Sequence, residues 1–446
     1  MTELSVIEVC AGAGGQALGL ELAGFEHKLA IELDPTAAAT IRRNRPEWKV
    51  EVGDVADPAV FDPKSFAPDA ESRNGQSIDL FAGGVPCPPF SIAGKQLGAN
   101  DERDLFAWAV EQVDVLRPRA LLLENVRGLS MPRFAGYRQH VLDRLSKFGY
   151  SAEWRLIHAS DYGVPQLRPR FVLVAMAPHD FAYFQWPEPV GSVKSVGETL
   201  LPLMSARGWS GAKDWAKKAS GIAPTIVGGS KKHGGADLGP TRAKRAWAEL
   251  GVDAYGVHDT APPYDKRPMT EFGPKLTVEM VARIQGWVWA RDETHRDELA
   301  KQGPEYRDYA WIFTGGKTSQ YRQIGNAFPP PVAKALGSSI AAALRHEGSP
   351  EARNDDPLAD PIYKVLRAQA HDNPDVFLTA AQIAQRAGLQ LDELEVRRRI
   401  ELLDKDFEII SASSGPAFRI GEFRAFTGQN DHARHEYIRN HMSRVS

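Results

Sequence analysis

The first 180 residues alternate between short apolar segments and longer amphipathic ones. Runs such as LSVIEVC and SIDLFAGGVPC end at glycines or acidic residues, and segments with helical spacing, such as QALGLELAGF, lie between them. This alternation predicts an α/β fold with a Rossmann-like, mainly parallel sheet that helices cover. Ligands of such sheets bind beyond the carboxyl ends of the strands. The polar residues that follow each strand are therefore the first candidates for chemistry.

The pattern then changes along the chain. We expect residues 1–180 to form the main domain and residues 181–314, where Gly, Pro, Lys and Trp are frequent, to form a smaller irregular domain. A clean helical segment in 315–347 should complete the main domain. Residues 348–357 are polar, as interdomain linkers often are, and residues 358–446 form a third unit.

The third unit has a pattern of its own. LTAAQIAQRAGLQLDELEVRRRIELLDK predicts two helices joined by a turn, and FEIISASSGPAFRIGE predicts a hairpin, so we expect a winged-helix-like α+β unit. Arg397, Arg398 and Arg399 lie on its second helix, but acidic residues outnumber basic ones over the unit. DNA contact, protein–protein contact and accessory packing all stay open.

The composition of the chain excludes several classes of protein. The 446 residues carry a formal net charge of −3, so any surface that binds nucleic acid must be local. Two cysteines cannot build a disulfide framework or a four-ligand zinc site, and we expect no metal. No apolar run is as long as a membrane span, and we find no secretion signal. We expect a cytoplasmic protein.

A glycine-rich segment, EVCAGAGG, joins the first predicted strand to the first predicted helix. Its glycines would let a ligand approach the backbone at a helix N-terminus, although a tight turn explains them equally well. Glu32 ends the second strand, where a carboxylate can hold both hydroxyls of a ribose. Asp54 ends the third, where a carboxylate can accept from an adenine amino group. Together they favour an adenosine-containing cofactor, while the glycine spacing argues against a dinucleotide.

Cys87 stands in a rigid loop, GGVPCPPFS, just past the fourth strand. Prolines fix the backbone on both sides, and two glycines before it remove side chains that would block approach. A nucleophile is presented in this way, so we favour a nucleophile over a structural thiol.

Charged residues follow the next strands. Glu124 ends the apolar strand LLLENV and could deliver a proton; a helix cap or a salt bridge is the alternative. Arg168 and Arg170, in QLRPR, are two residues apart and should share one face of a strand, where they could grip a carbonyl oxygen or a phosphate. A solvated pair at a sheet edge is the competing interpretation.

These segments occur in the order of the motifs of the cytosine-5 DNA methyltransferases, which the chain resembles over roughly residues 4–345. AGAGG resembles the S-adenosyl-L-methionine loop of that family, and GGVPCPPFS resembles its catalytic Pro-Cys loop. ENV, QLRPR, PKLTVEMVARIQGW and QIGNAFPPPVA follow in sequence. The resemblance implies a class I methyltransferase fold, S-adenosyl-L-methionine as cofactor and duplex DNA as substrate, and with that substrate a nucleoid-associated location.

The resemblance also implies a mechanism. Cys87 attacks carbon 6 of a flipped cytosine, Glu124 protonates ring nitrogen 3, and Arg170, with Arg168, holds the base carbonyl. Carbon 5 then takes the methyl group, and loss of the carbon-5 proton releases Cys87. The residues implied in cofactor binding are Cys10, Ala11, Gly12, Gly14, Gly15, Glu32, Asp54, Pro86, Leu105, Asn326 and Phe328.

The chain departs from the family at two positions. Cys10 stands where the family usually has a Phe that packs on the cofactor's adenine, so the shape of the cofactor pocket can differ. Pro88 stands where Gln often follows the catalytic Cys, and we expect it to stiffen the loop without abolishing the chemistry.

The resemblance places a target-recognition domain in 181–314. Within it, 207–249 is basic, and TIVGGSKKHGGADLG, with Lys231 and Lys232, could lie along phosphates or in a groove. We expect a restriction–modification or related system, with a cognate restriction endonuclease or another defence-system protein as partner. The alternatives are an RNA cytosine methyltransferase and a DNA-binding regulator with an inert core.

Overall fold

The structure is a computed structural model of the chain. It describes residues 3–68, 78–85, 105–228, 236–264, 269–351, 360–404, 407–412 and 416–423.

A seven-stranded sheet organises the first part of the chain. Its strands are β1 (Leu4–Val9), β2 (Phe25–Glu32), β3 (Val50–Val52), β4 (Leu80–Gly83), β5 (Ala120–Val126), β6 (Ser151–His158) and β7 (Pro169–Met176). They lie in the order β3-β2-β1-β4-β5-β7-β6. The first five strands pair in parallel, and β7 runs antiparallel to both β5 and β6. The expected mainly parallel sheet is confirmed.

Helices cover both faces of this sheet, because its strands are apolar on both sides. They are α1 (Gly15–Leu22), α2 (Pro35–Asn44), α3 (Leu105–Leu116), α4 (Ala135–Lys147) and α5 (Pro178–Phe181). Along β1, Val6 belongs to one buried cluster and Ile7 to another on the opposite face. Asp34 caps α2 by accepting the Thr36 N–H at 2.8 Å, with Pro35 at the first helical position.

The middle of the chain is mainly helical. It contains α6 (Val196–Ser205), α7 (Ala212–Lys218), α8 (Thr241–Glu249), α9 (Val278–Ile284), β8 (Val288–Ala290), α10 (Glu293–Ala300), α11 (Pro304–Asp308) and β9 (Ala310–Ile312). β8 and β9 pair in parallel, apart from the large sheet. Trp215, Trp247 and Trp287 are buried in one cluster of this region. Trp311 joins it to the glycine-rich loop by donating to the Ala13 carbonyl at 2.9 Å.

Two helices return the chain to the large sheet: α12 (Lys317–Asn326) and α13 (Pro330–Leu344). α13 lies against α1 at very short range. A methyl group placed on Gly19 would come within 2.4 Å of the Ala333 Cβ, and one on Gly337 within 2.9 Å of the Ala23 Cβ. Both glycines are therefore required by the close approach of the two helices.

The last part of the chain contains α14 (Pro361–Asp372), β10 (Leu378–Thr379), α15 (Ala380–Arg386), α16 (Glu393–Leu403), β11 (Phe407–Ser411) and β12 (Ala417–Phe423). Its three strands form an antiparallel sheet in the order β10-β12-β11. A helix pair followed by a hairpin is the winged-helix-like arrangement that the sequence predicts.

This C-terminal unit packs against α4 and shares its core. The Tyr363 hydroxyl donates to Asp143 Oδ2 at 2.9 Å, and a methyl group on Gly136 would lie 2.5 Å from Leu403 Cδ2. Buried residues of α3, α4 and the C-terminal unit belong to one continuous apolar cluster. On α16, Arg397 pairs with Glu393, so part of its basic charge is balanced within the helix.

Among the residues that the structure describes, no helix is both long enough and apolar enough to span a bilayer.

Candidate active site

The predicted site residues stand along one edge of the large sheet. Asp54 follows β3, Glu32 ends β2, the glycine-rich loop follows β1, and Gly84 follows β4. Glu124 lies at the end of β5. These five strands are parallel neighbours, so their carboxyl ends meet at the same edge. A ligand that lies along this edge would meet the acidic residues of β3 and β2 first and Glu124 last.

Glu32 is held by the backbone around it. Its Oε2 accepts the Gly12 N–H at 2.7 Å, and its Oε1 accepts the Asp34 N–H at 2.8 Å. Burial raises the pKa of Glu32, and these backbone hydrogen bonds oppose the rise. Each carboxylate oxygen has a second lone pair, so Glu32 can still accept from two hydroxyl groups.

The glycines of the loop have different reasons to be glycine. Gly12 has φ 57°, and a methyl group on it would meet no atom of the described residues within 4 Å, so on their side its backbone is open to a ligand. On Gly14 the same group would lie 2.9 Å from Trp311 Cζ2, and on Gly15 it would lie 2.3 Å from the Phe328 carbonyl oxygen. Gly14 and Gly15 therefore serve the packing of α1 against later segments.

Cys10 and Ala11 begin this loop. Cys10 has φ 53°, a left-handed conformation that is uncommon for a residue other than glycine, and it is half-buried against the apolar core. The Ala11 N–H donates to the Ile31 carbonyl at 3.0 Å, which ties the loop to β2. Asp54 is half-buried, and its Oδ1 accepts the Ala56 N–H at 3.0 Å.

The catalytic loop of the sequence analysis, with Pro86 and Cys87, lies outside the described residues. Its entry is described: β4 ends at Gly83, and Val85 is buried. The buried Asn125 donates from Nδ2 to the Val85 carbonyl at 3.5 Å, and its Oδ1 accepts the Val126 N–H at 2.7 Å. Asn125 thereby links β5 to the start of the loop. The sequence analysis did not single it out, although it lies within the ENV segment.

Glu124 and Arg170 form an ion pair across β5 and β7. Arg170 Nε contacts Glu124 Oε1, and the two side chains are only 12% and 13% exposed. The antiparallel register sets Arg170 opposite Val126, two residues beyond Glu124. Arg170 Nη1 also donates to the Pro169 carbonyl at 2.9 Å. An acid and a guanidinium therefore share the end of β5.

Arg168 has other partners. It lies just before β7, it is 1% exposed, and its Nη1 and Nη2 donate to the carbonyl oxygens of Ile226 at 2.7 Å and Ala327 at 2.9 Å. Burial, with the charge of Arg170 nearby, lowers the pKa of Arg168. The sequence analysis expected the two arginines to hold one shared target, but in the structure they have different partners. Arg168 joins the middle of the chain to the segment before α13.

Two buried glutamines extend this junction. Gln166 Oε1 accepts the Ile226 N–H at 2.8 Å, and its Nε2 donates to Gln285 Oε1. Gln285 Nε2 in turn donates to the Ala327 carbonyl at 2.9 Å, the same oxygen that Arg168 contacts. The sequence analysis missed both glutamines, and a single Gln in an otherwise apolar segment gave little signal.

The remaining expected cofactor residues that the structure describes differ in exposure. Asn326, the last residue of α12, is exposed, and a methyl group on Gly228 would lie 2.2 Å from its Oδ1. Phe328 is buried in the cluster that contains α13. Leu105 is half-buried and begins α3.

A group of possible metal ligands, His179, Asp180 and His346, lies at the opposite edge of the sheet. Asp180 is buried, and the Arg119 guanidinium donates to both of its oxygens, from Nη2 at 2.9 Å and from Nε at 3.3 Å. Because an arginine already neutralises the shared carboxylate, this group is explained as a salt-bridge network.

Comparison with known proteins decides the family. Residues 4–342 match the family model described as C-5 cytosine-specific DNA methylase. The chain belongs to this family. It is therefore a DNA (cytosine-5-)-methyltransferase, and the methylase motifs of the sequence analysis fall within the matched residues.

Two curated relatives illustrate how far the similarity extends. The chain is 58% identical to the Type II methyltransferase M.NaeI of Lentzea aerocolonigenes over 449 residues, which cover 100% of both chains. It is 45% identical to the Type II methyltransferase M.NgoMIV of Neisseria gonorrhoeae, over 77% of this chain and 99% of that relative. A methylase of this family can therefore lack a counterpart to nearly a quarter of the present chain.

One solved structure is similar in part. A putative DNA modification methyltransferase encoded within a prophage of E. coli is 21% identical, with a TM-score of 0.49, over 77% of this chain and 99% of that chain.

Proposed function

We propose that this methylase transfers the methyl group of S-adenosyl-L-methionine to carbon 5 of a cytosine flipped out of duplex DNA, through a covalent adduct on Cys87. One observation carries the proposal. The carboxylates suited to an adenosine stand at β3 and β2, the Glu124–Arg170 pair suited to a base stands at β5, and the Cys87 loop begins at β4 between them.

The residues at β1, β2 and β3 fit the cofactor. Gly12 leaves its backbone open, Glu32 can accept from both ribose hydroxyls, and Asp54 can accept from the adenine amino group. Cys10, Ala11, Pro86, Leu105, Asn326 and Phe328 complete the proposed contacts. When bound, the cofactor supplies an electrophilic methyl group.

Glu124 and Arg170 would hold the base. Arg170 can donate to the carbonyl oxygen of cytosine, and Glu124 can donate its proton to ring nitrogen 3. A ring protonated there accepts the electron pair that arrives when carbon 6 is attacked, so negative charge does not build up in the ring. The low exposure of both side chains strengthens these electrostatic contacts.

Cys87 would supply the nucleophile. Its thiolate adds to carbon 6, and the electrons of the carbon 5–carbon 6 double bond then make carbon 5 an enamine-like nucleophile that takes the methyl group. A base removes the carbon-5 proton, the electrons of that bond re-form the double bond, the thiolate leaves, and ring nitrogen 3 returns its proton to Glu124. A stacked base cannot present carbon 6 to a thiolate, so the cytosine must leave the duplex.

Arg168 would act as a positioning residue. Its guanidinium holds the Ile226 and Ala327 carbonyl groups, so it sets the segment around Asn326 relative to residues before the proposed DNA-binding loop. This role replaces direct contact with the base.

We further propose that residues 181–314 recognise the target sequence, while 1–180 with 315–347 perform the chemistry and 348–357 links them to the unit of 358–446. The relatives named above are Type II methyltransferases, so we place this chain in a restriction–modification system with a cognate endonuclease. Lys213 and Arg242, from the basic stretch 207–249, are exposed, so their charges are available to phosphates.

A methyl-transfer assay with radiolabelled cofactor tests the proposal. Duplex DNA, transfer RNA and a reaction without enzyme are compared. We expect label in duplex DNA only, and digestion of the product to nucleosides should yield 5-methylcytidine in its deoxy form. Label in transfer RNA alone would replace the proposal by an RNA methyltransferase.

A further inference from the structure

Gln16 is a buried polar residue to which the proposed chemistry gives no role. It is the second residue of α1 and is 3% exposed, and among the residues that the structure describes neither its Nε2 nor its Oε1 has a hydrogen-bond partner. A buried amide without partners destabilises the folded protein. The packing of the described residues therefore gives no reason for an amide at this position, whereas a ligand would.

The amide lies where β1 and β4 meet. A methyl group placed on Gly84, just after β4, would come within 3.9 Å of Gln16 Oε1, 3.9 Å of the Cys10 carbonyl oxygen and 3.6 Å of Glu124 Oε2. β1 and β4 are neighbours, yet the chain leaves β1 through α1 towards β2, on the other side. Doubly wound sheets bind ligands at such a switch point.

The order of the strands indicates which part of the cofactor would reach Gln16. In the proposed function, Glu32 and Asp54 hold the adenosine at β2 and β3, and Glu124 holds the base at β5. The sulfur that carries the methyl group must then lie between them, at β1 and β4. The amino-acid group of S-adenosylmethionine is attached to that same sulfur through a short chain, so it falls within reach of the Gln16 amide.

The chemistry of the amide suits this group. The amino-acid end carries a carboxylate and an ammonium, while a glutamine Nε2 donates hydrogen bonds and its Oε1 accepts them. One amide can therefore bond both charges, and hydrogen bonds to charged groups are the stronger kind. We propose that Gln16 is a cofactor-binding residue that recognises the amino-acid end of S-adenosylmethionine, an inference that rests on the proposed function for the cofactor itself.

A substitution with two ligands tests this role. Gln16→Met replaces the amide by an apolar chain of similar length. Calorimetric titration of the full chain compares S-adenosylhomocysteine with 5′-methylthioadenosine, which lacks the amino-acid end. We expect the affinity for S-adenosylhomocysteine to fall about tenfold or more, and that for methylthioadenosine to stay unchanged. The melting temperature of the ligand-free protein should rise, because an unsatisfied buried amide is gone.

Two further variants keep the test decisive. Gln112→Met, on α3, where Gln112 Nε2 donates to the Trp108 carbonyl at 3.0 Å, should leave both affinities unchanged. If Gln16→Met does not fold, Gln16→Glu is used in its place. It sets a negative charge against the ligand carboxylate and should weaken the binding of S-adenosylhomocysteine more than that of methylthioadenosine.

The outcomes separate the two proposals. Equal losses for both ligands, or no loss for either, would overturn the role of Gln16 while leaving the cofactor in place. A wild-type chain that binds neither S-adenosylhomocysteine nor methylthioadenosine would overturn the cofactor itself.

Discussion

Arg170 lies against Glu124 across the antiparallel pair of β5 and β7, and both side chains are almost entirely withdrawn from water. The guanidinium balances the negative charge of the carboxylate at the point where we place the base. Because the pair links a proton donor to a donor for the base carbonyl, a change to either residue should act on the chemical step.

Glu124→Gln tests the acid. The amide keeps the size of the side chain but cannot deliver a proton to ring nitrogen 3, so we expect kcat to fall by roughly 10²- to 10⁴-fold. S-adenosylhomocysteine affinity should hardly change, because Glu32 lies three strands away and Gly12 two strands away in the sheet order. Single-turnover methyl transfer measures the rate of the chemical step, and calorimetry measures the affinity for S-adenosylhomocysteine. Turnover near that of the wild type would remove Glu124 from the mechanism.

Cys87→Ser tests the nucleophile. Serine is close in size, so DNA binding should persist while methyl transfer is lost, because a hydroxyl does not form the reactive anion that a thiol forms. A duplex that contains 5-fluorocytosine should trap the wild-type chain covalently, since fluorine cannot leave as the proton does. Cys10→Ser is the matched control and should still be trapped. A trapped peptide that contains Cys10 in place of Cys87 would contradict the assignment.

Glu32 predicts a pH dependence of cofactor binding. Burial raises its pKa, so as the pH falls Glu32 takes up its proton at a higher pH than an ordinary glutamate, whose pKa is about 4.3. The protonated carboxyl accepts less well from ribose hydroxyls. The S-adenosylhomocysteine affinity should therefore begin to fall while the pH is still above that ordinary value, and in Glu32→Gln it should be weak and flat over the same range. Calorimetry between neutral and acidic pH measures the affinity of both proteins as a function of pH. If the affinity changed with pH in the same way in both, Glu32 would not be the group that titrates.

Lys231 and Lys232, which lie outside the described residues, predict a salt effect. If they touch phosphates, changing both to Ala should weaken DNA binding and reduce the slope of log Kd against log salt by about 1 to 2 units. Lys64→Ala with Lys301→Ala removes the same charge from two exposed positions elsewhere and should leave the slope unchanged. Equal effects in both double variants would mean that only overall charge matters.

The C-terminal unit predicts a separation of stability from catalysis. A chain that ends near residue 350 should bind cofactor and methylate DNA, because the family match ends at residue 342. Its melting temperature should fall, because removal of the unit uncovers α4, the helix on which it packs. DNA affinity should change little, given the ion pairs of Arg397 and Arg399 with Glu393 and Glu395.

A gentler variant tests the same contact. Tyr363→Phe removes the hydrogen bond to Asp143 and should cost about 1 kcal/mol of unfolding free energy in urea. Tyr255→Phe, at a side chain that is 60% exposed, should leave the unfolding free energy unchanged.

For the chain that ends near residue 350, a folded but inactive protein would mean that the C-terminal unit takes part in catalysis.

Much of the sheet edge could be predicted from the sequence because its signals are local. Apolar runs and the turns that end them set the strands, and these in turn place Glu32, Asp54 and Glu124 at strand ends. Their alignment followed from one general property, that parallel strands end at the same edge.

The partners of Arg168 could not be predicted in the same way. Two arginines separated by one residue suggested one shared target, but the carbonyl groups that bind Arg168 belong to Ile226 and Ala327, far away in sequence. Gly14 and Gly15 are also explained by residues far away in sequence, because they pack against Trp311 and Phe328. The packing of the C-terminal unit on α4 could not be predicted either, because an apolar helix face does not identify the segment that covers it.

The contact between α1 and α13 has a consequence for synthesis of the chain. α1 is complete by Leu22, but the helix that covers it ends only at Leu344, so α1 stays uncovered until most of the protein has left the ribosome. Contacts between such distant segments slow folding. A circularly permuted gene that begins at α12 would make α13 and α1 close neighbours in translation, and the nascent protein could then close its cofactor-binding half early.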